Sequence, residues 1–288
     1  MPSRSISLLW WCVLVFACVA SAFAQDDPDG WKRPTEPVRI AGPIHYVGTF
    51  GLASYLLATP EGHILIDGGL PGHEGLILQS IERLGFKPRD VKVLLTTQAH
   101  FDHVGTLAAL KQATGARVVV MRGDEGILAS GGRTDYLMGR DAAYQFPPVT
   151  ADEVIGDGHV LRLGDVSLTA RHTPGHTPGT TTWTTTVNEA GRSLRVAFAG
   201  STFVNPGTRL VKNPSYPGIE ADYRRSFALL ESLPVDIFLG AHAQGFGFHE
   251  RRARSATEGV AAWVDGDALK RTAIASKAAF EKLVAAER

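Results

Sequence analysis

The segment Gln98-Ala-His-Phe-Asp-His-Val-Gly105 sets two imidazoles and a carboxylate, His100, Asp102 and His103, into one short stretch. Imidazole nitrogen and carboxylate oxygen are good zinc ligands. Packing does not explain three such groups so close together, and in a tight turn they can point to two neighbouring metals. A second cluster, His172-Thr-Pro-Gly-His-Thr-Pro-Gly179, flanks His176 with two Thr-Pro-Gly turns. Pro and Gly fix such a turn, so that one imidazole projects from it. A third, Gly240-Ala-His-Ala-Gln-Gly245, presents His242. His45, His63, His73, His159 and His249 stand alone and read as ordinary packed or exposed histidines, and the strand before His172 already accounts for that residue.

Each cluster follows a predicted strand: VKVLLTT before His100, VSLTARHT before His176, VDIFLG before His242. A site at the end of a buried strand is held rigidly while its loop side stays open. Upstream, VRIAGPIHYVGTF, LASYLLAT and HILIDGG are short apolar runs separated by turn residues, the pattern of strands. GHEGLILQSIERLGF repeats Leu76, Ile77, Ile81 and Leu84 at helical spacing, with Gly85 as a stop. HVGTLAALKQATG predicts one helix ending at Gly115, and ARVVVM a strand, so β-α-β alternation runs this far. Residues 122–151 are less regular. Gly131-Gly132 and Pro147-Pro148 suggest loops around a short helix. TTTWTTTV and SLRVAFAG are Thr- and Val-rich strands. NPGTRLVKNPSYPG is a long loop, EADYRRSFALLESL an amphipathic helix, and residues 255–288 are Ala-, Lys- and Glu-rich and helical.

The chain has 288 residues, 44% hydrophobic and 20% charged, with 29 basic and 29 acidic side chains. That composition excludes a disordered chain or a polytopic membrane protein, and the balanced charge points to no nucleic-acid or acidic-membrane partner. The apolar run Leu8–Val19 after Arg4, followed by Ala22-Phe23-Ala24, reads as a signal peptide over residues 1–24. Both cysteines, Cys12 and Cys18, fall inside it, so the mature chain needs no disulfide and has no thiolate nucleophile. Bulky Phe16 disfavours a lipid anchor on Cys18. Export of a cysteine-free chain suits the periplasm or the cell exterior. Residues 25–37 read as a loose N-terminal arm and 38–288 as one α/β domain.

The order H-x-D-H, then His176, then His242, together with ILIDGGLPG, HTPGHTPGTTTW and NPSYPGIEADYRRSFALLESLPVDIFLGAH, resembles the metallo-β-lactamase superfamily, and within it subclass B3. The resemblance runs from about Val38 to the C-terminal helix. It implies an αβ/βα sandwich of two similar halves in a single domain, with two zinc ions in a groove at the sandwich edge. It places the first ion on Gln98, His100 and His176, and the second on Asp102, His103 and His242. Gln98 stands where the family usually has His. An amide oxygen is a weaker zinc donor than imidazole, so the first site is expected to fill less readily.

Among relatives with this motif, thioesterase-like hydrolases bridge the metals with a further Asp, and subclass B1 enzymes use Cys. Here VAFAGSTF puts Ser201 at that position, which fits subclass B3 and suggests contact with the substrate carboxylate. Phe203 replaces the small hydroxyl residue often found two positions on. The resemblance implies a periplasmic zinc enzyme of antibiotic resistance, monomeric, that opens the β-lactam ring of penicillins, cephalosporins and carbapenems. A metal-bound hydroxide attacks the lactam carbonyl, and Asp102 orients it and assists proton transfer. The alternatives are a hydrolase of a lactone, ester or thioester on the same fold, and a non-catalytic zinc-binding protein.

Overall fold

The computed structural model of the chain describes residues 28–288, and the signal peptide expected over residues 1–24 lies outside them. A short helix, α1 (Pro28–Lys32), leads into a seven-stranded sheet. Its strands are β1 (Val38–Ala41), β2 (Ile44–Tyr46), β3 (Tyr55–Thr59), β4 (Gly62–Ile66), β5 (Val91–Leu95), β6 (Arg117–Met121) and β7 (Glu153–Ile155), hydrogen-bonded in that order. Pairing is antiparallel from β1 to β4 and parallel from β4 to β7. Parallel neighbours need crossovers. These are α2 (Glu74–Arg83), then α3 (Phe101–Val104) with α4 (Leu107–Thr114), then α5 (Glu125–Ser130).

The second sheet contains β8 (Val160–Leu163), β9 (Val166–His172), β10 (Thr181–Glu189), β11 (Arg192–Ala199) and β12 (Ile237–Gly240), in the order β12-β11-β10-β9-β8. Only β11 and β12 pair in parallel there, joined by α6 (Ile219–Ser232). The chain finishes with α7 (Phe248–Glu258) and α8 (Ala268–Glu287).

Alternation along the strands builds the layers. Ile64, Ile66, Val93 and Leu95 point into a core shared with Leu168, Trp183, Val196 and Phe198 of the other sheet. The intervening Leu56, Leu65, Leu94 and Val120 point the other way, into a second cluster with Ile77, Ile81, Leu107 and Leu110 of the helices. Burial on both faces is why the parallel strands read as unbroken apolar runs. On the far side, α6 and α8 pack around Tyr223, Phe227 and Phe280. The expected αβ/βα sandwich in a single domain is what the chain forms.

Three hydrogen bonds stitch the sheets together at one end. Thr181 N–H donates to Thr97 O at 2.7 Å, the Trp183 indole to Thr96 O at 2.9 Å, and the Tyr55 hydroxyl to Gly240 O at 2.6 Å. The loops after β5, β9 and β12 meet beside these stitches.

Local departures from expectation have tertiary causes. The helix expected from His103 to Gly115 is broken after Val104. There the Thr106 hydroxyl donates to Gly68 O at 2.6 Å, and a Cβ on Gly105 would meet Pro71 at 2.3 Å. β7 and β8 carry only three and four residues with few fully buried side chains, too little pattern to read in advance. The stretch read as a loose arm carries α1. Its Trp31 lies so close to Gly51 that a Cβ there would meet the indole at 2.7 Å. Among the described residues, no helix is long and apolar enough to cross a membrane.

Candidate metal centre

Two buried carboxylates hold the ligand-bearing loops in place. Asp67 follows β4 at φ 60°, a conformation that costs a non-glycine residue energy and is tolerated where the surroundings enforce it. The enforcement is visible: Asp67 Oδ1 accepts Thr97 N–H at 2.7 Å and Oδ2 accepts the Thr97 hydroxyl at 2.6 Å. Oδ2 also stands 3.6 Å from His103 Nδ1. Asp124 follows β6 and spans two loops. It accepts Ala99 N–H at 2.9 Å from the loop after β5, and from the loop after β9 the Thr177 hydroxyl and Gly179 N–H, each at 2.7 Å. Burial pushes its carboxyl up to about 6, against the pull of those donors. Gly179 is obligatory here, because a Cβ would meet the Asp124 carboxyl carbon at 2.6 Å.

The sequence-predicted residues then fall into two groups. In the first, His100 Nδ1 lies 3.1 Å from His176 Nε2. Each ring has an acceptor on its other nitrogen: His176 Nδ1 faces Phe203 O at 2.7 Å, and His100 Nε2 faces Asp135 Oδ2 at 3.3 Å. With the ring protons on those outer nitrogens, two bare lone pairs would face each other. Ligand nitrogens around a tetrahedral zinc at 2.0–2.1 Å stand about 3.3 Å apart, so the pair fits a cation. Burial, then the neighbouring His100, push the His176 imidazole down to about 3, which keeps it neutral and able to ligate. Gln98, two residues before His100, is buried, but its amide oxygen accepts Ser201 N–H at 2.5 Å.

In the second group, ligand atoms of Asp102, His103 and His242 all lie within 4.8 Å of one another. Asp102 Oδ2 is 3.2 Å from His103 Nε2 and 3.4 Å from His242 Nε2, and the two imidazole nitrogens are 3.1 Å apart. Burial pushes the His103 ring down, but Asp102 and then Asp67 outweigh it and hold the ring at about 10. Burial likewise pushes the Asp102 carboxyl up, and His103 and His242 overcome it, so the carboxyl stays well below its usual range. A carboxylate and two imidazoles on one point make a donor set suited to zinc. A proton and a metal compete for the same His103 nitrogen.

Aromatic rings line the second group. Trp31 meets the His242 ring edge-on at 5.4 Å and Phe101 at 6.4 Å, and Phe101 meets Tyr144 at 5.2 Å. Ser201, half-buried, accepts Phe203 N–H on its hydroxyl at 3.3 Å, and Phe203 itself is 53% exposed. Sequence reasoning missed Asp67, Asp124 and Asp135. For Asp67 a signal existed, a carboxylate at a strand end before Gly68-Gly69. Asp124 and Asp135 are single acidic residues in irregular segments.

Known proteins resemble this chain in sequence and fold. The metallo-beta-lactamase superfamily profile matches residues 47–242. The native FEZ-1 metallo-beta-lactamase from Legionella gormanii superposes with a TM-score of 0.87 at 40% identity, covering 89% of this chain and 98% of that one. BJP-1, a subclass B3 metallo-beta-lactamase of Bradyrhizobium japonicum, superposes with a TM-score of 0.84 at 36% identity, covering 90% and 97%. An N-acyl homoserine lactonase from Bacillus thuringiensis is 31% identical over 91 residues, 24% of this chain and 35% of its own length. The chain spans about half the length of the first curated relatives it matches, 53% and 58%. With a profile match through the three ligand-bearing loops and near-complete superposition on subclass B3 structures, the chain belongs to the metallo-beta-lactamase superfamily of hydrolases.

Proposed function

We propose that this hydrolase opens the β-lactam ring of penicillins, cephalosporins and carbapenems with the help of zinc. The observation that carries the reading is the convergence of Asp102, His103 and His242 beside the facing pair His100–His176. It is supported by the subclass B3 metallo-beta-lactamases among the structural neighbours.

His100 and His176, with Gln98 beside them, would hold the first ion, and Asp102, His103 and His242 the second. When bound, zinc acidifies a water to a pKa of about 7 and polarises a carbonyl oxygen. The chain's residues do the rest. Asp102, with its Oδ2 between two imidazoles and 9% of its side chain exposed, would orient the attacking water and assist proton transfer. Ser201 has a hydroxyl hydrogen to offer a substrate carboxylate, since its oxygen already accepts Phe203 N–H. Trp31, Phe101 and Tyr144 form an apolar wall beside the second group. Gln98, its oxygen engaged by Ser201, leaves the first site the more weakly occupied. Such an enzyme would act as a periplasmic monomer, delivered by residues 1–24.

A second reading, hydrolysis of a lactone, draws on the N-acyl homoserine lactonases among the relatives. One assay separates the two: turnover of nitrocefin, a carbapenem and an N-acyl homoserine lactone by the mature protein, with added zinc and with a chelator. The β-lactam reading expects chelator-sensitive nitrocefin and carbapenem turnover, with little effect of clavulanate-type inhibitors that trap a serine acyl-enzyme. Turnover of the lactone alone overturns it.

A further inference from the structure

Asp135 divides its carboxylate between two tasks. Oδ2 faces His100 Nε2 at 3.3 Å. Oδ1 accepts the backbone N–H groups of Leu137 at 2.8 Å and Met138 at 2.6 Å. The side chain is almost fully buried, at 2% exposure, so water does not relieve it. The next residue, Tyr136, donates its hydroxyl to His176 O at 3.4 Å. Consecutive residues of one loop therefore reach both residues of the first group, the imidazole of His100 and the backbone carbonyl of His176. The loop closes tightly on itself: a Cβ on Gly131 would meet Phe146 O at 2.4 Å, and one on Gly139 would meet Arg133 O at 2.4 Å.

We propose that Asp135 is the positioning residue of the first metal group: it fixes the His100 tautomer that turns Nδ1 toward the metal, and it makes that tautomer depend on the Leu137–Met138 turn. The proposal rests on the reading of His100 and His176 as metal ligands. The ring carries one exchangeable proton in its neutral form, and the nitrogen facing a carboxylate keeps it. With the proton on Nε2, the Nδ1 lone pair faces His176 Nε2. Asp135 and Tyr136 act on His100 and His176, the residues of the first group.

Asp135→Asn separates tautomer control from loop support. The amide oxygen of Asn still accepts the Leu137 and Met138 N–H groups, and its NH2 then faces His100 Nε2. A donor there turns Nε2 into the acceptor and moves the ring proton to Nδ1, against the metal. Asp135→Ala removes both functions. Long-range 1H–15N NMR of the histidine rings in metal-free protein reads the tautomer directly, and a zinc titration against a chromophoric chelator reads the two affinities. The expected result is His100 protonated on Nε2 in the unmodified protein and on Nδ1 in Asp135→Asn. First-group zinc affinity should fall about 10- to 100-fold in that variant, with second-group affinity retained. Amide exchange at Leu137 and Met138 should stay protected in Asp135→Asn and speed up in Asp135→Ala. An unchanged tautomer in Asp135→Asn overturns the proposal, and so does an equal loss at both groups. If the tautomer shifts but no zinc binds His100 and His176 even in the unmodified protein, the positioning role stands and the metal reading of that pair fails.

Discussion

The two donor groups share the loop that carries His100, Asp102 and His103, yet they are held differently. In the second, all three donors come within hydrogen-bonding distance of one another, and Asp67 braces the innermost ring from behind. In the first, two imidazoles converge, but the oxygen of the third candidate, Gln98, accepts the backbone of Ser201. The first group instead draws support from its surroundings: Phe203 O behind His176, and Asp135 behind His100. A donor set that carries its own charge depends little on the loops around it, whereas one of neutral donors depends on them for orientation. Asp102 supplies that charge to the second group, and the first has no carboxylate among its candidate ligands.

Perturbing each group in turn tests this contrast. The largest effect is expected from Asp102→Ala and His242→Ala. Each should lose second-group metal and lower nitrocefin turnover more than about 100-fold, beyond the cost of disturbing a residue behind a ligand. Circular dichroism should remain unmodified. A variant that kept its metal and its turnover would remove that residue from the centre. Asp67→Asn comes next. It should weaken second-group zinc about 10-fold and leave the first group alone, read by metal content after dialysis against a weak chelator.

Gln98→His sharpens the comparison from the other side. An imidazole in place of the amide should raise first-group zinc affinity, on the order of 10-fold, toward that of the second group. Equal affinities at both groups before the change, unaltered after it, would show that Gln98 limits nothing.

The smallest effect is a pH dependence in metal-free protein. The His103 ring is held above its unfolded value, so its contribution to stability is complete below 6.5 and lost as the pH rises toward about 10. The Asp102 carboxyl is held below its unfolded value, so its contribution is present above 3.8 and lost on acidification. The melting temperature of metal-free protein should therefore decline above pH 6.5. Zinc-loaded protein should not follow, because rising pH removes the proton that competes with the metal. Parallel declines with and without zinc would separate the Asp102–His103 pair from the metal.

Much of this centre was legible in the residues. His100, Asp102 and His103 are dense enough to stand out, and His176 and His242 each follow a strand whose apolar run is readable. The braces were not. Asp124 joins the loop after β5 to the loop after β9, and no local pattern announces its contacts with Thr177 and Gly179, 53 and 55 residues further on. Asp135 sits in a stretch whose conformation is set by glycines packed against Phe146, a purely tertiary cause. Trp31 was hidden for a related reason. Its segment is polar and short, and only its docking onto Gly51 and His242 gives it a place.

The division of ligands between the sheets has a mechanical meaning. His100, Asp102 and His103 leave the last central strand before α3, whereas His176 and His242 leave strands of the opposite sheet. An ion in either group would therefore be a rivet through both halves of the sandwich, placed next to the Thr97–Thr181 and Tyr55–Gly240 stitches. Pulling the halves apart would first have to strip the metal, so the force or temperature at which the sheets part becomes a gauge of how many rivets are in place.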